Sequence, residues 1–157
     1  MKKKLKEMLS LNSLPCSEAS AWAEQTKYSD PIDLVISAKS EWREWVAKET
    51  NGIDTLQALA ADQDSDVRYA VAGNAATPIE TLQTLSADQH WSVRRAVANN
   101  ANTPIETLQT LSADQHSNVR YAVAGNAATP IGTLQALAVD QSWGVRYAVA
   151  NNKNFTQ

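Results

Sequence analysis

Two histidines, a single cysteine and four evenly spaced arginines are the side chains from which this chain could build chemistry. His90 and His116 stand 26 residues apart (116 − 90), each preceded by Asp-Gln. One period of packed helices separates them by roughly 10 Å, whereas ligands sharing a metal ion lie about 2 Å from it. The Asp88-x-His90 arrangement is also duplicated as Asp114-x-His116, and a single reaction needs one site rather than two in series. Cys16 has no second thiol, and the five glycines form no phosphate-cradling loop. No catalytic residue, metal or cofactor is expected, so the chain reads as a non-enzyme.

Arg68, Arg94, Arg120 and Arg146 each follow an aspartate by six residues (Asp62, Asp88, Asp114, Asp140). One reading makes them a ladder gripping phosphates or carboxylates. The other pairs each arginine with an aspartate between successive units, a contact that must recur wherever the stacking recurs. The second is preferred. Asn74, Asn100, Asn126 and Asn152 recur for the same kind of reason, since a loop between helices must satisfy its backbone groups.

The elements that carry these residues are repeats. Residues 53–78, 79–104, 105–130 and 131–156 are four copies of one pattern, I-x-T-L-Q-x-L-x-x-D-Q-x-x-x-V-R-x-A-V-A-x-N, with thirteen of 26 positions identical throughout. A fixed period of this length marks a solenoid whose units contact their neighbours. Thr77-Pro78-x-Glu80 and Thr103-Pro104-x-Glu106 predict a capping box opening the first helix of a unit. At Thr129 the glutamate is replaced by Gly132, which predicts a weaker start. Ile79, Leu82, Leu85 and Ala87 give the first helix its expected apolar stripe, and Val93, Ala96 and Val97 give the second helix its own. Asp88-Gln89 breaks the chain between them. Gly73-Asn74, Asn99-Asn100 and Gly125-Asn126 predict left-handed helix ends. Units also alternate in pairs: Trp91 and Trp143 recur 52 residues apart (143 − 91), as do Tyr69 and Tyr121 (121 − 69).

The string Asp-x-x-x-x-Val-Arg-x-x-Val-Ala-x-Asn-x-x-Thr-Pro-x-x-x-Leu-x-x-Leu, from Asp62 to Leu85, resembles the leucine-rich repeat variant family of bacterial proteins. The resemblance covers residues 53–156. It implies an all-α fold, a right-handed superhelix of alternating short helices, α or 3₁₀, and the role of an interaction scaffold without activity. Some members carry a cysteine-rich iron–sulfur segment; Cys16 alone cannot supply the roughly four thiolates of a cluster. In architecture the chain is more distantly similar to helical-repeat DNA glycosylases, which use a basic face. Here nine acids face six bases after Gly52, and the net charge is −3, opposite to what a nucleic-acid footprint requires.

Residues 1–50 lack the repeat and read as an N-terminal helical cap, with residues 51–157 as the solenoid. A helix is expected from Ser17 through Gln25, a turn near Ser29-Asp30-Pro31, and a longer helix from about Ile32 to Lys48 with Val35, Ile36, Trp42, Trp45 and Val46 buried. Cys16, Ala19, Trp22, Trp42 and Trp45 together resemble a Trp-rich motif of small bacterial and phage proteins of unknown function. Their plainer use is to cover the hydrophobic face of the first repeat. At the other end Lys153 and Phe155 blunt the last face, and the chain is expected to be monomeric; the alternative is a second copy docked there. Lys2, Lys3, Lys4 and Lys6 precede no apolar run long enough for a secretory signal, no stretch approaches a membrane span, and one cysteine suits a reducing cytoplasm.

The positions that vary while the frame stays fixed have two readings: a binding ridge, or drift in a solvated turn with Trp91 and Trp143 packing on the neighbouring unit, and the second is preferred. These are Asp64-Ser65-Asp66, His90-Trp91-Ser92, His116-Ser117-Asn118 and Ser142-Trp143-Gly144, on a ridge between the two helices. His90, Trp91, His116 and Trp143 are the candidate binding residues there, and Tyr69, Arg95, Tyr121 and Tyr147 form a second candidate column. The expected role is protein–protein interaction without turnover. The rivals are a nucleic-acid binder using the arginines and a small immunity or regulatory factor acting through the Trp-rich segment.

Overall fold

The computed structural model describes residues 35, 36 and 38–155. Among them are two helical residues, Val35 and Ile36, nine α-helices with defined bounds, and no strand. In chain order the nine are α1 Ser40–Glu49, α2 Ile53–Leu59, α3 Ser65–Gly73, α4 Ile79–Leu85, α5 Trp91–Asn99, α6 Ile105–Leu111, α7 Ser117–Gly125, α8 Ile131–Leu137 and α9 Trp143–Ala150. They alternate short and slightly longer in every repeat, giving an all-α repeat solenoid in which both kinds of helix are α. The chain divides into two compact units, Met1–Pro78 and Ile79–Gln157. The boundary coincides with the end of the first repeat.

Helices of seven to nine residues are too short to persist alone. Each survives because its apolar side is covered. In the unit beginning at Ile79, α5 packs on α7 and α7 on α9, while α6 touches both α5 and α7. In the unit ending at Pro78, α1 packs on α3 in the same way. Val93, Val97, Val119, Val123 and Val145 are essentially inaccessible to solvent, as are Ala98 and Ala124. Valines fill the layer and alanines let the stacked helices approach. Burying each leucine or valine stabilises the fold by about 1.5–3 kcal/mol.

The short helices bury a different stripe from the expected one. Thr81, Leu82 and Leu85 are buried, whereas Ile79 is half exposed and Ala87 is exposed. At about 100° per residue, Thr81, Leu82 and Leu85 cluster on one side of the helix and Ile79 lies more than about 90° from their centre. Ile53, Ile105 and Ile131 are exposed for the same reason.

The expected capping boxes do not form. Pro104 and Pro130 are the N-cap residues of α6 and α8, with extended backbone and no side-chain cap bond. An extended proline carries the preceding threonine away from the helix N–H groups, so Gly132 weakens no capping box. The threonines turn the other way: the Thr77, Thr103 and Thr129 hydroxyls donate to the carbonyl oxygens of Val71, Val97 and Val123 at 2.5–2.6 Å. They therefore satisfy a preceding helix C-terminus rather than a following N-terminus. The left-handed ends are absent too. Asn74, Asn100 and Asn126 cap their helices in extended conformation, with φ between −74 and −70°.

These asparagines instead tie one layer to the next. The Asn126 amide donates to Ala98 and Asn100 carbonyls at 2.8 and 3.2 Å, and Asn152 repeats this with Ala124 and Asn126. Asn74 donates to the carbonyls of Ala47 and Thr50. The side-chain oxygens of Asn74, Asn126 and Asn152 accept from the N–H two residues on.

The expected helix from Ile32 to Lys48 is broken. Lys39 is extended, with φ −60° and ψ 149°, and α1 begins only at Ser40. Val35 and Val46 are buried, Ile36 is exposed, and Trp42 and Trp45 are half-buried. The expected helix at 17–25, the turn at 29–31 and the side chains Cys16, Ala19 and Trp22 lie outside the described residues.

Gly73 and Gly125 each close a nine-residue helix, and a β-carbon at either would meet no heavy atom within 4 Å. With no special backbone angle required, Gly73→Ala and Gly125→Ala should each stabilise the fold by about 0.5–1 kcal/mol. A urea midpoint unchanged or lowered in both variants would contradict this account of the helix ends.

Candidate functional site

The ridge is built from the turn at each Asp-Gln. Only five residues separate the end of a short helix from the start of the longer one, so backbone N–H groups must find local acceptors. Aspartate supplies one: Oδ1 of Asp62, Asp88, Asp114 and Asp140 accepts from the N–H two residues on, at 2.8–2.9 Å. That bond fixes the variable residues at the N-terminus of the second helix. Asp64, His90, His116 and Ser142 are N-cap residues there. Asp64 and the His116 ring accept from an N–H in the first turn, whereas the His90 Nδ1 lies 2.6 Å from the Ser92 hydroxyl. Part of the variation along this ridge is therefore a choice among caps.

The same aspartates receive the arginines. Arg94 donates from Nε and Nη2 to Asp114 Oδ2 and Oδ1 at 2.6 and 3.0 Å, and Arg120 does the same to Asp140 at 2.6 and 2.9 Å. Their Nη1 atoms donate to main-chain carbonyls of Asp88 and Gln89, and of Asp114 and Gln115. Both edges of each guanidinium are occupied, and the Arg94 and Asp114 side chains are only 9% and 7% exposed. These arginines are fasteners between successive repeats, the reading preferred from sequence.

The pairs also set the local protonation. Burial by itself would raise the Asp114 carboxyl, but the Arg94 hydrogen bond, the His116 N–H and the nearby positive charge outweigh it and hold the group below the ordinary carboxylate range. For Asp140 the Arg120 hydrogen bond dominates over burial, with the same result. Arg94 and Arg120 are shifted upward, chiefly by the hydrogen bonds to those aspartates.

A fastener that sequence reading missed lies in α1. Arg43 donates to Asp62 from Nε and Nη2 at 2.6 and 3.1 Å, and its Nη1 donates to the Ala38 carbonyl. The segment Trp42-Arg43-Glu44-Trp45-Val46-Ala47 thus plays the part of Val67-Arg68-Tyr69-Ala70-Val71-Ala72. Its offset is 25 residues (68 − 43) rather than the 26 of the period, and two tryptophans stand where small apolar residues are usual. The signal was the shared R-x-x-V-A.

The candidate binding residues separate by environment. Trp91 is half-buried and stacks on His116, with ring centroids 4.3 Å apart and planes within 5°, while the centroid of the exposed His90 ring lies 6.1 Å from that of Trp91. Trp143 stacks on Tyr147 at 5.2 Å but remains 69% exposed. The Tyr121 ring edge lies 3.8 Å from where a β-carbon on Gly144 would sit. Tyr121, Trp143 and Tyr147 therefore form one exposed aromatic patch in the unit beginning at Ile79. Arg95 is half-buried there, and Tyr69 is exposed in the other unit. A shallow groove lined by Asn99, Ala101, Gly125, Asn126, Ala127 and Ala128 has no convergent charged groups. Among the described residues no cluster of His, Cys, Asp or Glu could hold a metal ion, and no helix is long and apolar enough to cross a membrane.

No family model and no curated protein matches the chain. Among solved structures it is similar to a leucine-rich repeat variant with a novel repetitive structural motif, at 23% identity and a TM-score of 0.39, covering 85% of this chain and 70% of that one. It is also similar to an engineered protein at 18% identity and a TM-score of 0.51, covering 99% and 88% of the two chains. The second likeness supports the fold.

Because Asp114 and Asp140 titrate below their unfolded values, the folded state takes up their protons less readily than the unfolded chain does. The stability they contribute is complete well above about pH 4 and is lost as pH falls through the lowered values. Asp114→Asn should cost about 3 kcal/mol near neutral pH by leaving Arg94 buried without its partner, and should flatten the acid limb of a stability–pH curve. Equal acid sensitivity in variant and wild type, followed by urea unfolding, would refute this assignment.

Proposed function

We propose that the protein is a non-catalytic scaffold for protein–protein interaction, working in a reducing cytoplasm. The observation that carries the reading is the patch of Tyr121, Trp143 and Tyr147, 44%, 69% and 53% exposed. Aromatic side chains of this kind give large contact area for few rotatable bonds and are enriched at binding hot spots. Tyr121 sits on a helix tied by the Arg120–Asp140 pair to the turn that leads into α9, so little ordering remains to be done on binding. His90, Trp91 and His116 form a separate stacked group on the turn ridge. The nucleic-acid alternative is disfavoured because Arg94 and Arg120 already spend both guanidinium edges on internal partners. A role in bacteria follows from the family resemblance, and the regulatory alternative places its contacts largely outside the described residues.

The test begins with affinity capture from host lysate using the full chain, followed by purification of the recovered protein and titration. Tyr121→Ala/Tyr147→Ala should weaken that partner at least about tenfold while leaving the fold intact by circular dichroism. Unchanged affinity in the variant would remove the patch from the interface, and recovery of nucleic acid alone would overturn the reading.

A further inference from the structure

We infer that the column of Arg95, Tyr121 and Tyr147 is a seat for an acidic polyproline II segment, with a carboxylate opposite Arg95 and prolines three and six residues from it. The inference rests on the proposed protein-binding role and names the chemistry of the partner. Each of the three residues is the fifth of its helix, 26 positions from the next (121 − 95 and 147 − 121). α5 packs on α7 and α7 on α9. Packed helices lie about 8–10 Å apart, so the three side chains recur along the face at that interval. Their openness belongs to the position: Tyr69 and Tyr121, each followed by a further repeat, are 42% and 44% exposed, close to the 53% of Tyr147.

That interval selects among partner backbones. A polyproline II helix has three residues per turn and presents the same face about every 9.3 Å. A β-strand returns to one face after about 6.6 Å or twice that, and neither fits. An α-helix returns after about 10.5 Å, but it satisfies its own backbone groups, and the surface beside the column suits a backbone that does not. Asn99 and Gly125, both exposed, lie one helical turn beyond Arg95 and Tyr121 and line a shallow groove with Ala127 and Ala128. A β-carbon on Gly125 would meet nothing within 4 Å. Polyproline II leaves its carbonyls unpaired, and the Asn99 amide can donate to one. Charge completes the choice. Arg95 is half-buried, and among the described residues no hydrogen bond or ion pair engages its guanidinium, in contrast to Arg94 and Arg120. A cation half removed from water selects a carboxylate. Exposed aromatic rings take prolines, and the Tyr147 ring is already held by stacking on Trp143.

The probes are the end-blocked heptapeptide Glu-Ala-Ala-Pro-Ala-Ala-Pro and its reverse-order form. Each is titrated into the full chain while the Tyr121 and Tyr147 ring resonances and the Arg95 Nε–H are followed by NMR. One order should move all three. Shortening the spacing to Glu-Ala-Pro-Ala-Pro should weaken binding about tenfold. Arg95→Glu should weaken the acidic peptide about tenfold and turn the preference toward the same peptide with lysine in place of glutamate. Resonances unmoved by about 1 mM of either peptide, or binding indifferent to the spacing or to Arg95→Glu, would overturn the inference. Titrating the captured partner against Tyr121→Ala/Tyr147→Ala keeps the two readings apart. A partner lost in that variant, with no peptide bound, would leave the patch an interface and overturn only its polyproline II occupant. A partner indifferent both to that variant and to saturating peptide would overturn both.

Discussion

The arginine–aspartate fork between consecutive helical layers is the contact on which the rest of this structure depends. Apolar burial between alanine- and valine-faced helices supplies most of the stabilisation, but it is nearly indifferent to a small rotation or slide of one layer on another. A bidentate guanidinium–carboxylate pair is not, because two parallel hydrogen bonds fix distance and orientation together. The aspartate is fixed in turn by the N–H two residues on, and the arginine by two carbonyls of its own repeat. Each fork therefore locks a turn to a helix and a layer to its neighbour.

Buried ion pairs are weak evidence for stability, since desolvation offsets much of the attraction. Their recurrence here is better explained by register. Arg43 makes the point: α1 has lost most of the repeat's residue pattern, and its offset is one residue short, yet the fork and the Asn74 amide contact to Ala47 are both retained. A layer can exchange valine and alanine for tryptophan and still dock, provided the directional contacts survive. The threonine of each Thr-Pro serves the same end, closing the carbonyl that the preceding helix leaves open.

With the frame held by internal polar contacts, the surface is free to vary. The turn positions combine helix capping with exposure, which is why they carry Asp, His and Ser at one position and Ser, Trp and Asn around it. Trp91 and Trp143 show how stacking context separates identical residues: one is covered by a histidine of the next repeat, the other stands open. Along such an array the same residue type is structural or available according to what lies on its far side.

The sequence by itself determined the repeat, its period, the all-α class, the Val-Ala layer of the second helices and the pairing of aspartate with arginine. Each follows from spacing and from the need to repeat any contact that stacking repeats. Tertiary structure decided what spacing cannot express. Thr77-Pro78 reads as a capping box because both outcomes use the same residues; only the extended prolines of the sister repeats, and the packing that places a valine carbonyl within reach, turn the threonine backward. Ile79 looks like core by hydrophobicity, yet a seven-residue helix can bury only one arc, and Thr81 falls inside it. Arg43 went unseen because a one-residue change in offset hides it from any periodic comparison, although three-dimensional stacking tolerates the change. The exposure of Trp143 beside the half-buried Trp91 belongs to the same class, since exposure depends on the neighbour a residue has rather than on the residue it is.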